Sequence, residues 1–294
     1  MCGVVGLLLK DGTRRAELGR LVTGMFETMG ERGPDSGGLA VFGEPTTGAL
    51  RRFNVFAPRR DYPWGELATA LGASVEAIEN HAVVSLAGTA PDFRRWLAEY
   101  DPTLHLLSAG RRINVYKDVG AAGAIAKRYR FPVLGGTHAV GHTRMATESA
   151  VSPARAHPFT AGEDFCLVHN GSLSNPNMLR RKLEAEGVAF ETDNDTEAAC
   201  RLIEWRLRAG DSLEQALEVA FRELDGFYTL VMGTGDSLTL VRDAFACKPA
   251  VIAETDSWVA IASEFRALAH LPDVASANVF EPEPERIYTW TVPN

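Results

Sequence analysis

A layered α+β sandwich is the fold class this sequence predicts, and three observations predict it. Short apolar runs rich in β-formers cluster near the start, the middle and the end of the 294-residue chain. Stretches of helical periodicity fall side by side between those clusters, which argues against alternating β-α-β units. A shift in composition then sets residues 58–130 apart as a small α+β insertion in an otherwise continuous 1–294 domain.

The elements follow in order. Residues 4–9 are a short apolar run, VVGLLL, read as a buried strand. Leu18, Leu21, Val22, Met25, Phe26 and Met29 recur at helical spacing and make an amphipathic helix that stops at Gly30. A polar turn, 31–38, leads to strands expected at 39–42 and 49–56, paired as a hairpin across the turn 43–48. Within the insertion, strands are expected at 82–86, 104–107 and 113–116, with helices from about 66, over 93–100 and over 121–129. Asp118 is expected to cap the last of these, with an anion seat at the same helix start as the alternative. Strands resume at 139–143 and 165–169, followed by helices over 175–187, 195–208 and 212–224. Short strands at 227–232, 238–241, 250–253 and 258–262 and one more in the tail, 279–292, complete the pattern.

Charge and cysteine usage narrow the function. With 30 Lys and Arg against 38 Asp and Glu, a net charge of −8 argues against nucleic acid or an anionic membrane as partner. No apolar run approaches membrane-spanning length, and Lys10, Asp11, Arg14 and Arg15 break the only run that could resemble a signal peptide. The four cysteines, Cys2, Cys166, Cys200 and Cys247, are widely spaced, as expected of reduced thiols in a cytoplasmic protein. Three of them, Cys166, Cys200 and Cys247, are expected in the core as small apolar residues. His138 and His142 have the spacing of a metal pair on a helix, but they fall in a strand, so no metal is expected, and no cofactor is implied.

Met1-Cys2-Gly3 carries the chemistry. Removal of Met1 exposes a thiol and an α-amine on one residue, titrating near about 8.5 and about 7.7–8.0 in unperturbed form. That one residue can supply nucleophile and base near neutral pH. With Met1 attached, the same nitrogen is an amide and no base. A cysteine at position two can also be chance, so the reading depends on motifs downstream.

Those motifs are Arg32-Gly33-Pro34-Asp35-Ser36, Gly141-His142-Thr143-Arg144-Met145-Ala146-Thr147, Ala156-His157-Pro158-Phe159, His169-Asn170-Gly171 and Asp193-Asn194-Asp195-Thr196-Glu197. Each alone is an ordinary turn or cap. In this order after Met-Cys-Gly, and with Arg242-Asp243 and Ala262-Ser263-Glu264 beyond them, they resemble the class II glutamine amidotransferases. The likeness covers nearly everything outside 58–130. It implies a four-layer αββα N-terminal-nucleophile hydrolase sandwich, with glutamine as substrate.

The resemblance also implies roles. Cys2 matches the nucleophile, with its α-amine carrying the proton to departing ammonia. Asn170 and Gly171 match the oxyanion hole, through a side-chain amide and a backbone N–H. Arg144 matches the clamp on the substrate α-carboxylate, a task suited to its planar fork. Asp195 matches the acceptor of the α-ammonium, with a role as only the N-cap of its helix as the lesser alternative. Thr147, His157 and Arg32 match positions that shape the pocket, and His157 is expected to be a packed, hydrogen-bonded histidine, not an acid–base group. Met145 stands where some relatives have an aromatic, and Glu148 where some have a histidine.

The start of the chain and its length also resemble the stand-alone amidotransferase subunit of glutamate-synthase-type systems, among them the N-methylglutamate synthase of methylamine metabolism. This implies a hetero-oligomer in which a separate synthase chain takes the ammonia, with the insertion as a candidate docking surface. The alternatives are methylamine and glutamate transfer on the same scaffold, and a catalytically silent assembly subunit that retains Met1.

Overall fold

The computed structural model describes residues 2–146 and 151–293. Its centre is strand Gly3–Leu9, all seven residues of which are buried. It pairs antiparallel with His138–Arg144 on one side (Gly3 opposite Thr143) and with Trp258–Ala262 on the other (Val5 opposite Ala262). Strands Ser36–Phe42 and Ile113–Val119 extend the first side, and Val251–Glu254 and Asn278–Phe280 extend the second, to seven strands. A five-stranded sheet runs in the order Tyr288–Thr291, Ser237–Arg242, Gly226–Gly233, Cys166–Leu173, Phe159–Thr160.

Alternation of side chains along the strands builds four layers. Val5, Leu7 and Leu9 point outward and pack with Leu21, Met25 and Phe26 of helix Leu18–Met29 and Ile125 of helix Ala122–Arg128. Val4 and Leu8 point inward and meet Val168, Val231 and Leu240 of the facing sheet. The outer face of that sheet, Leu167, Leu230 and Met232, is covered by Leu179, Leu202 and Leu217, from helices Pro176–Ala185, Asp195–Arg208 and Leu213–Glu223. Each fully buried leucine or valine adds roughly 1.5–3 kcal/mol to the strand that carries it. The strand that Cys2 immediately precedes is therefore held from both faces.

Several expectations need correction. The hairpin expected across 43–48 does not form. Strand Ser36–Phe42 pairs with Ile113–Val119 and His138–Arg144, while Leu50–Phe56 pairs with His81–Ala87 and His105–Gly110 in a separate sheet. Sequence neighbours are the default partners, but a small unit with its own core intervenes here. Phe53, Val55, Trp64, Leu67, Phe93 and Leu97 pack together, and the sheet order is Ser74–Ile78, His81–Ala87, Leu50–Phe56, His105–Gly110.

The expected insertion, 58–130, thus differs from the structure at both ends. The separate sheet begins at Leu50, and Ile113–Val119 and Ala122–Arg128 belong to the main sandwich. Asp118 caps no helix, because its carboxylate pairs with Arg128 Nη1 (2.5 Å) and accepts from Tyr129 Oη (2.6 Å). The helix N-cap is Ala121. The tail contributes two strands rather than one, Asn278–Phe280 to the first sheet and Tyr288–Thr291 to the second. Cys247 is exposed, whereas Cys166 and Cys200 are buried as expected. Among the described residues, no helix is long and apolar enough to cross a membrane.

Candidate active site

The leading edge of the central strand opens into a cleft of about 380 Å³, lined by Cys2, Arg144, Met145, His157, His169, Gly171, Asp195 and Thr196 among others. Antiparallel pairing explains two of these residues. Gly3 lies opposite Thr143, so Cys2 and Arg144 lie at the same end of the sheet. The turn that starts at Gly30 lies directly on this edge, and only glycine permits it at position 33. A Cβ there would sit 2.3–2.4 Å from the Thr143 carbonyl carbon and the Arg144 nitrogen. Asp35 then closes the turn, accepting from Ala146 N (2.8 Å) while its own N–H donates to Arg144 O (3.1 Å).

Cys2 is anchored by its backbone and, half-buried, lines the cleft. Its carbonyl accepts from Arg32 Nε (3.0 Å) and Asn170 Nδ2 (3.3 Å). Its Sγ lies 3.8 Å from Met145 O. Arg32 also pairs with Glu264, whose second oxygen accepts from Arg266 Nε (2.6 Å). The guanidinia of Arg32 and Arg266 hold the Glu264 carboxyl below its usual range, against a weaker opposing effect of burial. Arg32 thus braces the Cys2 backbone. Ser263 completes the brace by exchanging hydrogen bonds with Val4, at 3.0 and 3.1 Å.

Strand Cys166–Leu173 supplies the opposite wall. Alternation puts His169 and Gly171 on the cleft face and Asn170 on the other, where it reaches Cys2. A Cβ on Gly171 would lie 2.1 Å from Phe227 O and 2.6 Å from His169 Nε2, so no side chain fits between the strands there. His169 is a cleft residue without a role among those the resemblance implies. Its i, i+2 relation to Gly171 is the sequence signal for it.

Asp195 is the first residue of helix Asp195–Arg208, but its cap is Asn194, whose side chain accepts from Thr196 N at 2.9 Å. The Asp195 carboxylate is left to face the cleft, accepting from Leu173 N (3.0 Å) with His169 Nδ1 at 3.7 Å. Burial raises its pKa, but His169 and the backbone N–H groups of Leu173 and Thr196 outweigh that and hold it at about 2. A depressed folded-state pKa stabilises the fold above the unfolded value and ceases to do so as pH falls through the folded one. Asp195→Asn is therefore expected to destabilise most above about pH 4, the difference from wild type vanishing toward about pH 2. Urea unfolding across that range checks this, and a pH-independent difference contradicts it.

His157 is buried and stacks on His142 at 4.0 Å. Burial first, then the neighbouring imidazoles, push its pKa well down, so the ring is neutral. Its Nδ1 accepts from His169 N (3.3 Å), which leaves Nε2–H to donate to Thr196 Oγ1 (3.2 Å). The ring therefore ties the Asn170 strand to the Asp195 helix. His138 and His142 do not converge: His138 Nε2 meets Thr234 O (2.8 Å) and His142 Nε2 meets His169 O (3.1 Å). Among the described residues, no group of three or more His, Cys, Asp or Glu side chains could hold a metal ion. Thr147 and Glu148 lie outside the described residues.

Comparison with known proteins gives this geometry a family. Residues 142–270 match the glutamine amidotransferase domain model. The chain is 47% identical to the glutamine amidotransferase-like protein GlxB of Rhizobium meliloti, over 99% of this chain and 98% of that one. It is 33% identical to the amidophosphoribosyltransferase of Methanocaldococcus jannaschii, over 56% of this chain and 36% of that protein. Among solved structures, the glutamine phosphoribosylpyrophosphate amidotransferase of B. subtilis superposes with a TM-score of 0.63 at 19% identity. That match covers 98% of this chain and 47% of that chain, so the likeness spans just under half of the longer protein. The four layers are those of the N-terminal-nucleophile hydrolases, and the chain belongs to the class II glutamine amidotransferases, a family of enzymes.

Proposed function

We propose that the chain is a glutaminase subunit that releases ammonia from glutamine through a Cys2 thioester and delivers it to a separate glutamate synthase-like chain. The observation that carries this reading is the convergence of Cys2, Arg144 and Asp195 on one cleft, with Asn170 Nδ2 3.3 Å from the Cys2 carbonyl.

In this reading Met1 is removed, and the Cys2 α-amine takes the thiol proton. The sulfur attacks the side-chain carboxamide carbon of glutamine, forming a C–S bond. The carbonyl oxygen becomes an oxyanion received by Asn170 Nδ2 and the Gly171 N–H. Collapse breaks the C–N bond, and the α-ammonium gives its proton to the leaving nitrogen, which departs as ammonia. Water, deprotonated by the same amine, then cleaves the thioester to glutamate and restores the thiol. Arg144 grips the α-carboxylate and Asp195, ionised, receives the α-ammonium, so that the site selects a free amino acid. Thr147, His157 and Arg32 support this arrangement around the reacting atoms.

The test is to purify the chain with whatever co-purifies, identify those polypeptides, and assay glutamine hydrolysis with and without them. Slow hydrolysis alone and faster turnover with a glutamate synthase-like chain is the expected result. No hydrolysis by the processed chain in either state overturns it. Supplying methylamine with glutamate to the same complex distinguishes N-methylglutamate formation from ammonia transfer.

A further inference from the structure

Lys117 is a buried cation that none of this chemistry uses. It lies on the edge strand Ile113–Val119, opposite Gly38, and only 5% of its surface is exposed. Its Nζ reaches three backbone carbonyls, those of Ala156 (3.0 Å), Pro158 (3.3 Å) and Ala154 (3.4 Å), and lies 5.0 Å from the Phe159 ring centroid. An ammonium has three N–H donors. Three carbonyls of one segment account for all of them.

The segment matters because of what it carries. Ala156 and Pro158 flank His157, whose ring joins Thr196 Oγ1, beside Asp195, to His169 N, beside Asn170. Glu197 holds the neighbouring loop in a matching way, accepting from Glu191 N (2.9 Å), Thr192 N (2.7 Å) and Thr192 Oγ1 (2.7 Å). Both charged groups line a cavity of about 40 Å³, together with Glu191 and Arg201. Burial pushes the Lys117 ammonium down to about 8, and the Glu197 carboxylate opposes that fall. Burying a charge is costly unless it is hydrogen-bonded, and the three carbonyls supply those bonds to Lys117.

We propose that Lys117 is a positioning residue for the glutamine site, its ammonium fixing the 154–158 backbone so that His157 aligns Thr196 and Asp195 with the substrate's α-ammonium. The inference rests on the glutaminase reading, and its test separates the two. Lys117→Met keeps the length and removes every donor, while Lys117→Gln keeps two N–H groups. For wild type and both variants, alkylation is followed on the Cys2-bearing peptide with two reagents. Iodoacetamide needs only the thiol, whereas the glutamine-shaped diazoketone 6-diazo-5-oxo-L-norleucine needs the thiol and the amino-acid clamp. The expected result is that K117M loses about 10- to 100-fold in diazoketone rate, the worth of a charge-assisted hydrogen bond. Its iodoacetamide rate stays unchanged, and K117Q recovers part of the loss. Equal losses with both reagents, no loss with either, or failure of both variants to fold would each overturn the positioning role. A wild-type chain that reacts with iodoacetamide but never with the diazoketone would instead bring down the glutamine reading, and this inference with it.

Discussion

Replacing Cys2 with alanine is expected to lower the rate of ammonia release from glutamine by on the order of 10⁶-fold, as loss of a nucleophile does in other covalent hydrolases. Thermal unfolding is expected to stay as in wild type. The stability of the strand comes from Val4, Val5, Leu7 and Leu8, all fully buried, while Cys2 itself is only partly so. Its sulfur fills no core space, and the contacts that pin its residue run through its backbone carbonyl. Alanine keeps that carbonyl, so Arg32 and Asn170 retain their acceptor. A coupled glutamate dehydrogenase assay beside a melting curve checks both halves. Activity surviving in Cys2→Ala would remove the thiol from the mechanism and leave the cleft as a binding pocket.

Replacing Asn170 with alanine is expected to cost on the order of 100- to 1,000-fold in kcat, with a much smaller change in KM. The amide reaches the backbone of Cys2, and its 3.3 Å hydrogen bond to the Cys2 carbonyl is long enough to be exchanged for a developing oxyanion. Asn170→Asp tests the same donor with the side-chain volume kept. It should lose as much or more, because a carboxylate repels the oxyanion. Steady-state kinetics of both variants decide, and a loss under about threefold in kcat contradicts an oxyanion role, since one such donor is worth far more.

Much of this site was legible in the sequence, because it is built from local signals placed by a few strong elements. The run VVGLLL had to be a buried strand, and it carries Cys2 to its edge. The periodic apolar positions from Leu18 to Met29 had to be a helix, and the structure ends it at Met29 with Gly30 following. Arg144, His157, Gly171 and Asp195 then arrive at one cleft through strand ends and a helix start.

What was not legible depended on long-range pairing. Nothing local reveals that Leu50–Phe56 leaves the sheet its predecessor belongs to, because a hairpin and a strand exchange share the same turn-flanked pattern. Asp118 looks like a cap until Arg128 and Tyr129 fold back on it. Glu264 and Lys117 act through partners 232 and 37–41 residues away. Charge alone gives no hint of such distances.

The most direct measurement is to stop the enzyme with acid during turnover of glutamine and map the mass of its N-terminal peptide. The account predicts a peptide that begins at Cys2, without Met1, carrying one γ-glutamyl group on sulfur during turnover and none after glutamine is exhausted. Glutamate and ammonia accumulating while that peptide stays unmodified, or while Met1 remains attached to it, would contradict the account.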